Sequence, residues 1–338
     1  MDTFRSSDCS TPPDEITATG RILVIGPPRS GTTWVEQVLG RAASARVVHE
    51  PDNETCSPFA LRAKTSLGRF PVLGPSDAAP PAYFDLWSRA FEGVGRAATA
   101  RWLTAKALLR TADGDLDAAF DQRQHRFSTR LRLISALATL PAASLAERAG
   151  DPPVLVKSVH ASLAAEWIAA RWQPKVVVVL RHPLNVVASH VALGWGPSGL
   201  DSHRLLRHGL ANPPLVPAIG PDASPLRRLA WQIGVFITAL EAAVQRNPGW
   251  LVISHEDLCC DPAGGFKALC AALGVPWTDE AAEFLAVSDR PGTGLETRRV
   301  AAEQPSNWTR QLSRAQVDEV FDVLSAFPDR LNGFASVP

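Results

Sequence analysis

Short apolar runs alternate with longer amphipathic stretches along most of the chain. Five runs are short and rich in β-branched residues: Ile22–Ile25, Val47–Val48, Val154–Val156, Val176–Leu180 and Leu251–Ile253. Such runs are typical of strands buried on both faces of a parallel sheet. Helical spacing of apolar residues marks the stretches Trp34–Ala43, Ser162–Trp172, Leu184–Leu193, Leu226–Arg246 and Gly264–Leu273. The alternation predicts right-handed βαβ units and an α/β fold with a central parallel sheet.

Two regions depart from this rhythm. Residues 58–150 are predicted to form a largely helical insert, with amphipathic segments at Ala82–Leu109 and Leu116–Leu140. Residues 194–225 are rich in Gly, Pro and His and are predicted to form a long loop. Long loops in compact domains often act as lids, although a solvated surface excursion fits this segment equally well. We expect a disordered tail over residues 1–20 and a single domain over residues 21–338.

Composition narrows the function classes. The chain has 338 residues, 46% of them hydrophobic, and a formal net charge of zero, so no global field favours nucleic acid or an anionic membrane. Its five cysteines include no CxxC pair, which supports neither a disulfide framework nor a zinc site. The N-terminus lacks the apolar core of a signal peptide, and no run approaches the about 18 apolar residues of a membrane helix. We expect a cytoplasmic protein from a GC-rich bacterial gene, without a transmembrane segment or a nucleic-acid partner. Its oligomeric state, a homodimer included, is left open.

A phosphate-binding turn follows the first strand candidate. Gly26–Thr33 (GPPRSGTT) has the glycine spacing of a Walker A loop, but Thr32 stands where that loop carries its lysine. Gly31 allows a close backbone approach to an anion at the N-terminus of the following helix. The remaining donors lie in the same turn: the N–H groups of Gly31, Thr32 and Thr33, the hydroxyls of Ser30, Thr32 and Thr33, and the guanidinium of Arg29.

This turn resembles the 5′-phosphosulfate-binding loop of sulfotransferases that use 3′-phosphoadenosine 5′-phosphosulfate (PAPS). The family pattern is a Lys or Arg followed by Ser-Gly-Thr-Thr. A second segment is similar to the family's 3′-phosphate site: Arg181 follows the strand candidate Val176–Leu180, and Ser189 lies on the next helix. A third segment, Trp250–Pro276, resembles the family's strand followed by Glu-Asp-Leu and a helix. We expect Glu256 and Asp257 there to cap that helix or brace the core rather than react.

The resemblance implies the fold, the reaction and the binding residues. The fold is a P-loop-NTPase-like three-layer α/β/α domain, and the reaction moves a sulfuryl group from PAPS to a small-molecule, carbohydrate or lipid hydroxyl, releasing 3′,5′-ADP without a metal. Trp34 either stacks on the adenine or packs the first helix. The implied PAPS-binding residues are Arg29, Ser30, Gly31, Thr32, Thr33, Trp34, Arg181, Ser189, Asn307, Trp308 and Arg310. The last three lie where the family places a final cofactor loop, but the glycines of the cytosolic-type loop are missing.

The resemblance also implies which cations act in the transfer step. Arg29 is placed for the 5′-phosphate and the bridging oxygen. Lys157, directly after the strand candidate Val154–Val156, matches a family lysine and would stabilise the sulfuryl oxygens. In-line transfer of this kind depends on positioning and charge neutralisation.

The acceptor hydroxyl needs a general base. Glu50 follows the second strand candidate, as a glutamate does in glycan- and tyrosine-modifying relatives. His160 lies three residues after Lys157, whereas the family's small-molecule enzymes place their histidine two residues after the lysine. A histidine titrates near neutral pH unaided, but a glutamate needs burial or a neighbour that raises its pKa. We prefer Glu50 to His160, with His49 as a third option.

Two other functions compete with sulfuryl transfer. A P-loop kinase or other NTPase would need a lysine at position 32, which is threonine. A binding protein that has lost activity would not need to keep Arg29, Arg181, Ser189 and the candidate bases.

Overall fold

The computed structural model describes residues 20–92, 152–200, 205, 216–294, 296 and 298–328. Five strands form one parallel sheet in the order β2-β3-β1-β4-β5: β1 Arg21–Ile25, β2 Arg46–His49, β3 Val154–Ser158, β4 Lys175–Leu180 and β5 Leu251–Ser254. Each contains one of the apolar runs, so the predicted parallel sheet is confirmed.

Helices connect and cover these strands. The described helices are α1 Thr32–Ala42, α2 Pro58–Ala63, α3 Pro81–Phe91, α4 Ala165–Trp172, α5 Pro183–Ala192, α6 Pro225–Arg246, α7 His255–Cys260, α8 Pro262–Leu273, α9 Asp279–Ser288, α10 Trp308–Gln311 and α11 Arg314–Leu324. The five predicted helices shift by only a few residues at their starts. Pro183, Pro225 and Pro262 each begin a helix, where the missing N–H costs nothing.

The sheet separates two apolar layers. Ile22 and Val24 of β1 lie in one buried cluster with residues of α1, α7, α8 and α9, whereas Leu23 and Ile25 lie in another with residues of α2, α3, α4 and α6. Successive side chains of a strand point to opposite faces, so one short run contributes to both layers. The fold is therefore an α/β three-layer arrangement, as predicted.

The described part of the predicted insert belongs to the core. Tyr83 and Trp87 of α3 are fully buried, and the Tyr83 ring lies 5.3 Å from the ring of Trp167 in α4. The Trp167 indole also donates to the carbonyl of Asp77, at 2.9 Å. Residues 58–92 thus cover the sheet rather than forming a separate cap. The segment Leu116–Leu140 and most of Ala82–Leu109 lie outside the described residues.

The predicted loop at 194–225 is irregular at residues 194–200 and 216–224, whereas Leu205, also described, is helical and buried. It is attached to α6, because Trp231 donates to the carbonyl of Pro217 at 2.7 Å and the Ser198 N–H donates to Gln232 at 3.1 Å. Among the described helices, none has the length and hydropathy needed to cross a bilayer.

Two residues of α3 test its place in the core. Trp87→Ala empties a site that is fully buried, and we expect it to lower the free energy of unfolding by about 3–5 kcal/mol. Phe84→Ala is the matched control, since Phe84 lies on the same helix and is 45% exposed. Urea denaturation measures both. Equal losses for the two variants would contradict the packing described for α3.

Candidate active site

The carboxyl ends of four parallel strands bring the predicted site residues to one edge of the sheet. β1 ends at Ile25, paired with Ser158 of β3, and β2 ends at His49, paired with Lys157. The phosphate-binding turn therefore starts beside Lys157, and the Glu50 N–H is bonded to the Lys157 carbonyl at 2.8 Å. Open α/β sheets bind their ligands in the crevice at this edge.

Close packing explains the two glycines of the turn. A Cβ at Gly26 would lie 2.3 Å from the carbonyl oxygen of Val179, and one at Gly31 would lie 2.2 Å from the ring of His255. Gly31 also has φ +94°, in the left-handed region that side chains rarely adopt. As the N-cap of α1 it offers no side chain, so the first N–H groups of α1 stay available to a ligand.

Arg29 is fixed in an unusual backbone conformation. Its φ is +70°, and its Nε donates to the Ser189 hydroxyl at 2.9 Å. The Arg181 guanidinium donates to the Arg29 carbonyl at 3.2 Å, so the predicted 5′ and 3′ sites are joined directly. Left-handed non-glycine residues persist where the surroundings hold them, and they cluster at functional sites. Arg29, Ser189 and Arg181 meet as the sequence predicts.

A third arginine completes a cationic cluster of Arg29, Arg181 and Arg299. Burial, together with the charges of Arg181 and Arg299, lowers the pKa of Arg29 to about 10. Burial and Arg299 also lower the pKa of Arg181. Sequence reasoning missed Arg299 because it lies in an irregular segment. The adjacent pair of arginines at 298–299, shortly before the expected cofactor loop, was the signal that could have found it.

Two buried polar atoms point to an anion. The Ser30 hydroxyl and the Arg181 Nε are both buried and have no hydrogen-bond partner among the residues that the structure describes. An unpaired buried donor costs free energy, so such atoms indicate a ligand or water that completes them. Both atoms belong to residues predicted to hold phosphate groups.

Glu256 braces this edge of the sheet, as expected. Its carboxylate accepts from the His182 N–H at 3.1 Å and from the Asn185 amide at 3.0 Å. It thereby ties α7, which follows β5 directly, to the start of α5. The helix caps are other residues: Ser254 caps α7 and Asp261 caps α8.

Glu50 and Lys157 form a buried ion pair, with the Lys157 ammonium against the Glu50 carboxylate. Asn53 donates to the other carboxylate oxygen, and Glu50 has φ +44°. Burial is the largest single effect and would raise the pKa of Glu50, but the charges of Lys157, His49 and His160 and the hydrogen bond from Lys157 together lower it to about 2. The ligand-free protein therefore lowers the pKa of Glu50, whereas a glutamate that acts as a base near neutral pH needs a raised one.

His160 lies in a separate buried network. The Lys64 ammonium donates to its Nδ1 at 3.0 Å and also to Glu54 at 2.9 Å, and Arg69 donates to Glu54 at 2.8 Å. Burial and the charge of Lys64 lower the pKa of His160 to about 3. His160 therefore differs from an unperturbed histidine, because it is buried and an ammonium donates to its Nδ1 lone pair.

The remaining predicted residues lie in two places: at the start of α1 and in or beside α10. Thr32 is buried and Thr33 half-buried, and both begin α1. The Trp34 ring packs edge-on against Phe266, 5.0 Å away. Trp308 stacks on His182 at 6.1 Å, while Arg310 pairs with Glu303 and with Asn307 at the surface. The structure brings Trp308 to the Arg181 side of the site, whereas Arg310 engages exposed partners.

Removing the ammonium tests the buried pair. Lys157→Met leaves the Glu50 carboxylate uncompensated, and we expect a loss of about 3–5 kcal/mol in the free energy of unfolding. Glu50→Gln added to Lys157→Met should recover part of that loss, which a double-mutant cycle in urea measures. The wild-type pair stabilises fully above the unfolded pKa of 4.5, and its contribution is lost as pH falls toward 2. Lys175→Met is the control, and strictly additive losses would contradict the pairing.

Comparison with known proteins places this geometry in a family. A family model described as "Sulfotransferase family" matches residues 21–212. Curated protein sequences give no match. Among solved structures, the chain is similar to mouse sulfotransferase SULT7A1 complexed with PAP, with 12% identity, 94% of this chain and 88% of that chain covered, and a TM-score of 0.38. It is also similar to the sulfotransferase domain from the curacin biosynthetic pathway, with 15% identity, 90% of this chain and 96% of that chain covered, and a TM-score of 0.43.

The match of the family model spans more than half of the 338 residues, from the phosphate-binding turn through Lys157, Arg181 and Ser189. The chain belongs to the sulfotransferase family.

Proposed function

We propose that the protein transfers a sulfuryl group from PAPS to a hydroxyl acceptor and releases 3′,5′-ADP. The observation that carries this proposal is the contact of Arg181 with the Arg29 backbone beside two buried donors without hydrogen-bond partners, the Ser30 hydroxyl and the Arg181 Nε. Arg299 is near enough for its charge to lower the pKa of both arginines. Three mutually repelling guanidiniums are costly unless anions join them. A nucleotide with phosphates at both the 5′ and 3′ positions supplies such anions, and membership of the sulfotransferase family supports PAPS among them.

The binding roles follow from position. The open N–H groups of α1 and the hydroxyls of the turn face the 5′-phosphosulfate, with Arg29 beside the bridging oxygen. Arg181, Ser189 and Arg299 bind the 3′-phosphate, and the unpartnered Nε of Arg181 gains a hydrogen bond. Trp308, stacked on His182, lies beside this second site. Asn307 and Arg310 are further candidates for binding the nucleotide, because they lie in or at the start of the helix that carries Trp308.

The transfer step needs charge stabilisation and a base. The acceptor oxygen attacks sulfur in line, the bond from sulfur to the 5′-phosphate oxygen breaks, and Arg29 stabilises the charge on the leaving oxygen. Lys157 stabilises the sulfuryl oxygens. In this scheme Arg29 and Lys157 neutralise the charge that develops on the leaving oxygen and on the sulfuryl oxygens.

Glu50 takes the acceptor proton. In the ligand-free pair Lys157 holds the pKa of Glu50 low, so the carboxylate is ionised and has lone pairs to offer. Engagement of Lys157 with the sulfuryl oxygens weakens that contact and raises the pKa of Glu50, which makes it a stronger base when the donor is bound. His160 is the weaker candidate, since Lys64 occupies its Nδ1 and leaves a proton on Nε2.

Ligand binding tests the donor class. We expect 3′,5′-ADP without magnesium to raise the free energy of unfolding by about 2.7 kcal/mol at 100 times its Kd, measured by thermal shift and isothermal titration. Arg181→Ala should abolish most of this stabilisation, and Arg314→Ala, on an exposed turn of α11, should keep it. Stabilisation by Mg-ATP alone would contradict the proposal and favour a kinase or NTPase.

Turnover tests the base. With labelled PAPS and a panel of phenolic, sugar and aliphatic hydroxyls, Glu50→Gln should lower kcat by about 10²–10⁴-fold. His160→Asn should keep most of the turnover if it folds, which circular dichroism checks. The assignment is wrong if the Glu50 variant keeps its kcat while the His160 variant loses it.

A further inference from the structure

His49 lies between two carboxylates that belong to different surroundings. Its Nδ1 lies 2.8 Å from one oxygen of Glu36 and 3.0 Å from the other, and its Nε2 lies 4.0 Å from Glu50. The Glu36 side chain, on α1, is 3% exposed, whereas that of His49 is 45% exposed. One end of the imidazole thus faces the proposed base, and the side chain itself reaches solvent.

The contact with Glu36 sets the tautomer of His49. A carboxylate only accepts, so the proton of the neutral imidazole lies on Nδ1 and the lone pair lies on Nε2. That lone pair faces Glu50. A separation of 4.0 Å is closed by a small rotation of the Glu50 carboxylate or by one bridging water.

His49 also lines a groove with a volume of about 490 Å³. The groove lies along the C-terminal half of α1 and the edge strand β2, and its walls include Glu36, Arg41 and Glu280. Neither Arg29 nor Arg181 lines it. The groove is therefore separate from the turn and the strand end that carry Arg29 and Arg181, and His49 lines it.

We propose that His49, oriented by Glu36, accepts the proton that Glu50 takes from the acceptor hydroxyl and releases it to solvent in the groove. This inference rests on the proposed function. The proton moves from the acceptor oxygen to Glu50, then to Nε2 of His49, which becomes an imidazolium, and then to water. Glu50 and neutral His49 are regenerated, so the atoms balance with the single proton that sulfation of a hydroxyl releases.

The charges around the relay favour this direction. Once the sulfated product has left, Lys157 contacts Glu50 again and disfavours its protonated form, so the proton passes on to His49. Burial alone would lower the pKa of His49, but the hydrogen bond and charge of Glu36, with a contribution from Glu50, raise it, while Lys157 acts in the opposite sense. Other titratable or charged groups near the relay, among the described residues, include His160 and Arg29, which interact electrostatically with Glu50. The sulfur of Cys56 faces Glu50, and Arg41 and Glu280 line the groove.

The test is the pH dependence of kcat with labelled PAPS and the best aliphatic hydroxyl of the acceptor panel. His49 must be neutral to accept a proton, so we expect kcat to increase as pH rises through the pKa of His49. Glu36→Gln removes the main cause of the raised pKa, and we expect the acid limb of the profile to move to lower pH. His49→Asn should lower kcat by about 10²-fold with an unchanged KM for PAPS. Imidazole in the buffer should restore turnover to His49→Ala, because the vacated position opens to the groove.

Glu280→Gln, in the same groove on α9, is the matched control and should keep the wild-type profile. The relay is contradicted if the acid limb stays in place in Glu36→Gln or if His49→Asn keeps the wild-type kcat. Neither result contradicts the proposed function. Loss of stability and a raised KM for PAPS without a shifted limb also overturns the relay, in favour of a structural role. A protein that neither binds 3′,5′-ADP nor turns over any acceptor contradicts the proposed function, and the relay falls with it.

Discussion

Mutual repulsion among Arg29, Arg181 and Arg299 is the constraint on which the rest of the site depends. Each guanidinium keeps its charge, and Arg29 and Arg181 are held together, since β1 and β4 are adjacent strands and Arg181 is bonded to the Arg29 backbone. The fold holds the repulsion in place through Glu256, which lies 4.0 Å from Arg181 and is itself bonded to the start of α5. An anion entering this edge meets donors that are already oriented, so little reorganisation opposes binding.

The second electrostatic element is the pair of Glu50 and Lys157. One ammonium serves two anions in turn: the carboxylate in the ligand-free protein and the sulfuryl group in the proposed complex. This sharing connects donor binding to base strength. It also explains why the pair is buried, because the same two charges in water would influence each other far less.

Sequence reasoning predicted the sheet because β-branched runs between helical stretches have few alternative arrangements. It also predicted that Arg29, Arg181 and Ser189 would meet, since parallel strands bring their carboxyl ends together. It did not predict the pKa directions of Glu50 and His160, which depend on Lys157 and Lys64. Lys64 lies in an irregular stretch of the chain and reaches His160 only through the fold. Arg299 and the Glu36–His49 contact were missed for the same reason. Periodicity carries no information about which side chains from different segments will meet when the chain folds.

The packing of α3 restricts where the chain can be joined to that of a relative in a chimaera. Tyr83 and Trp87 fill the same layer as Trp167, so the polypeptide from α2 to Phe91 is as much a part of the scaffold as the strands themselves. A chimaera that exchanges residues 58–150 as one cassette with a relative would remove Tyr83, Trp87 and Phe91 from that layer. A junction placed after Phe91 leaves all three in contact with the helix that carries Trp167 and Trp172.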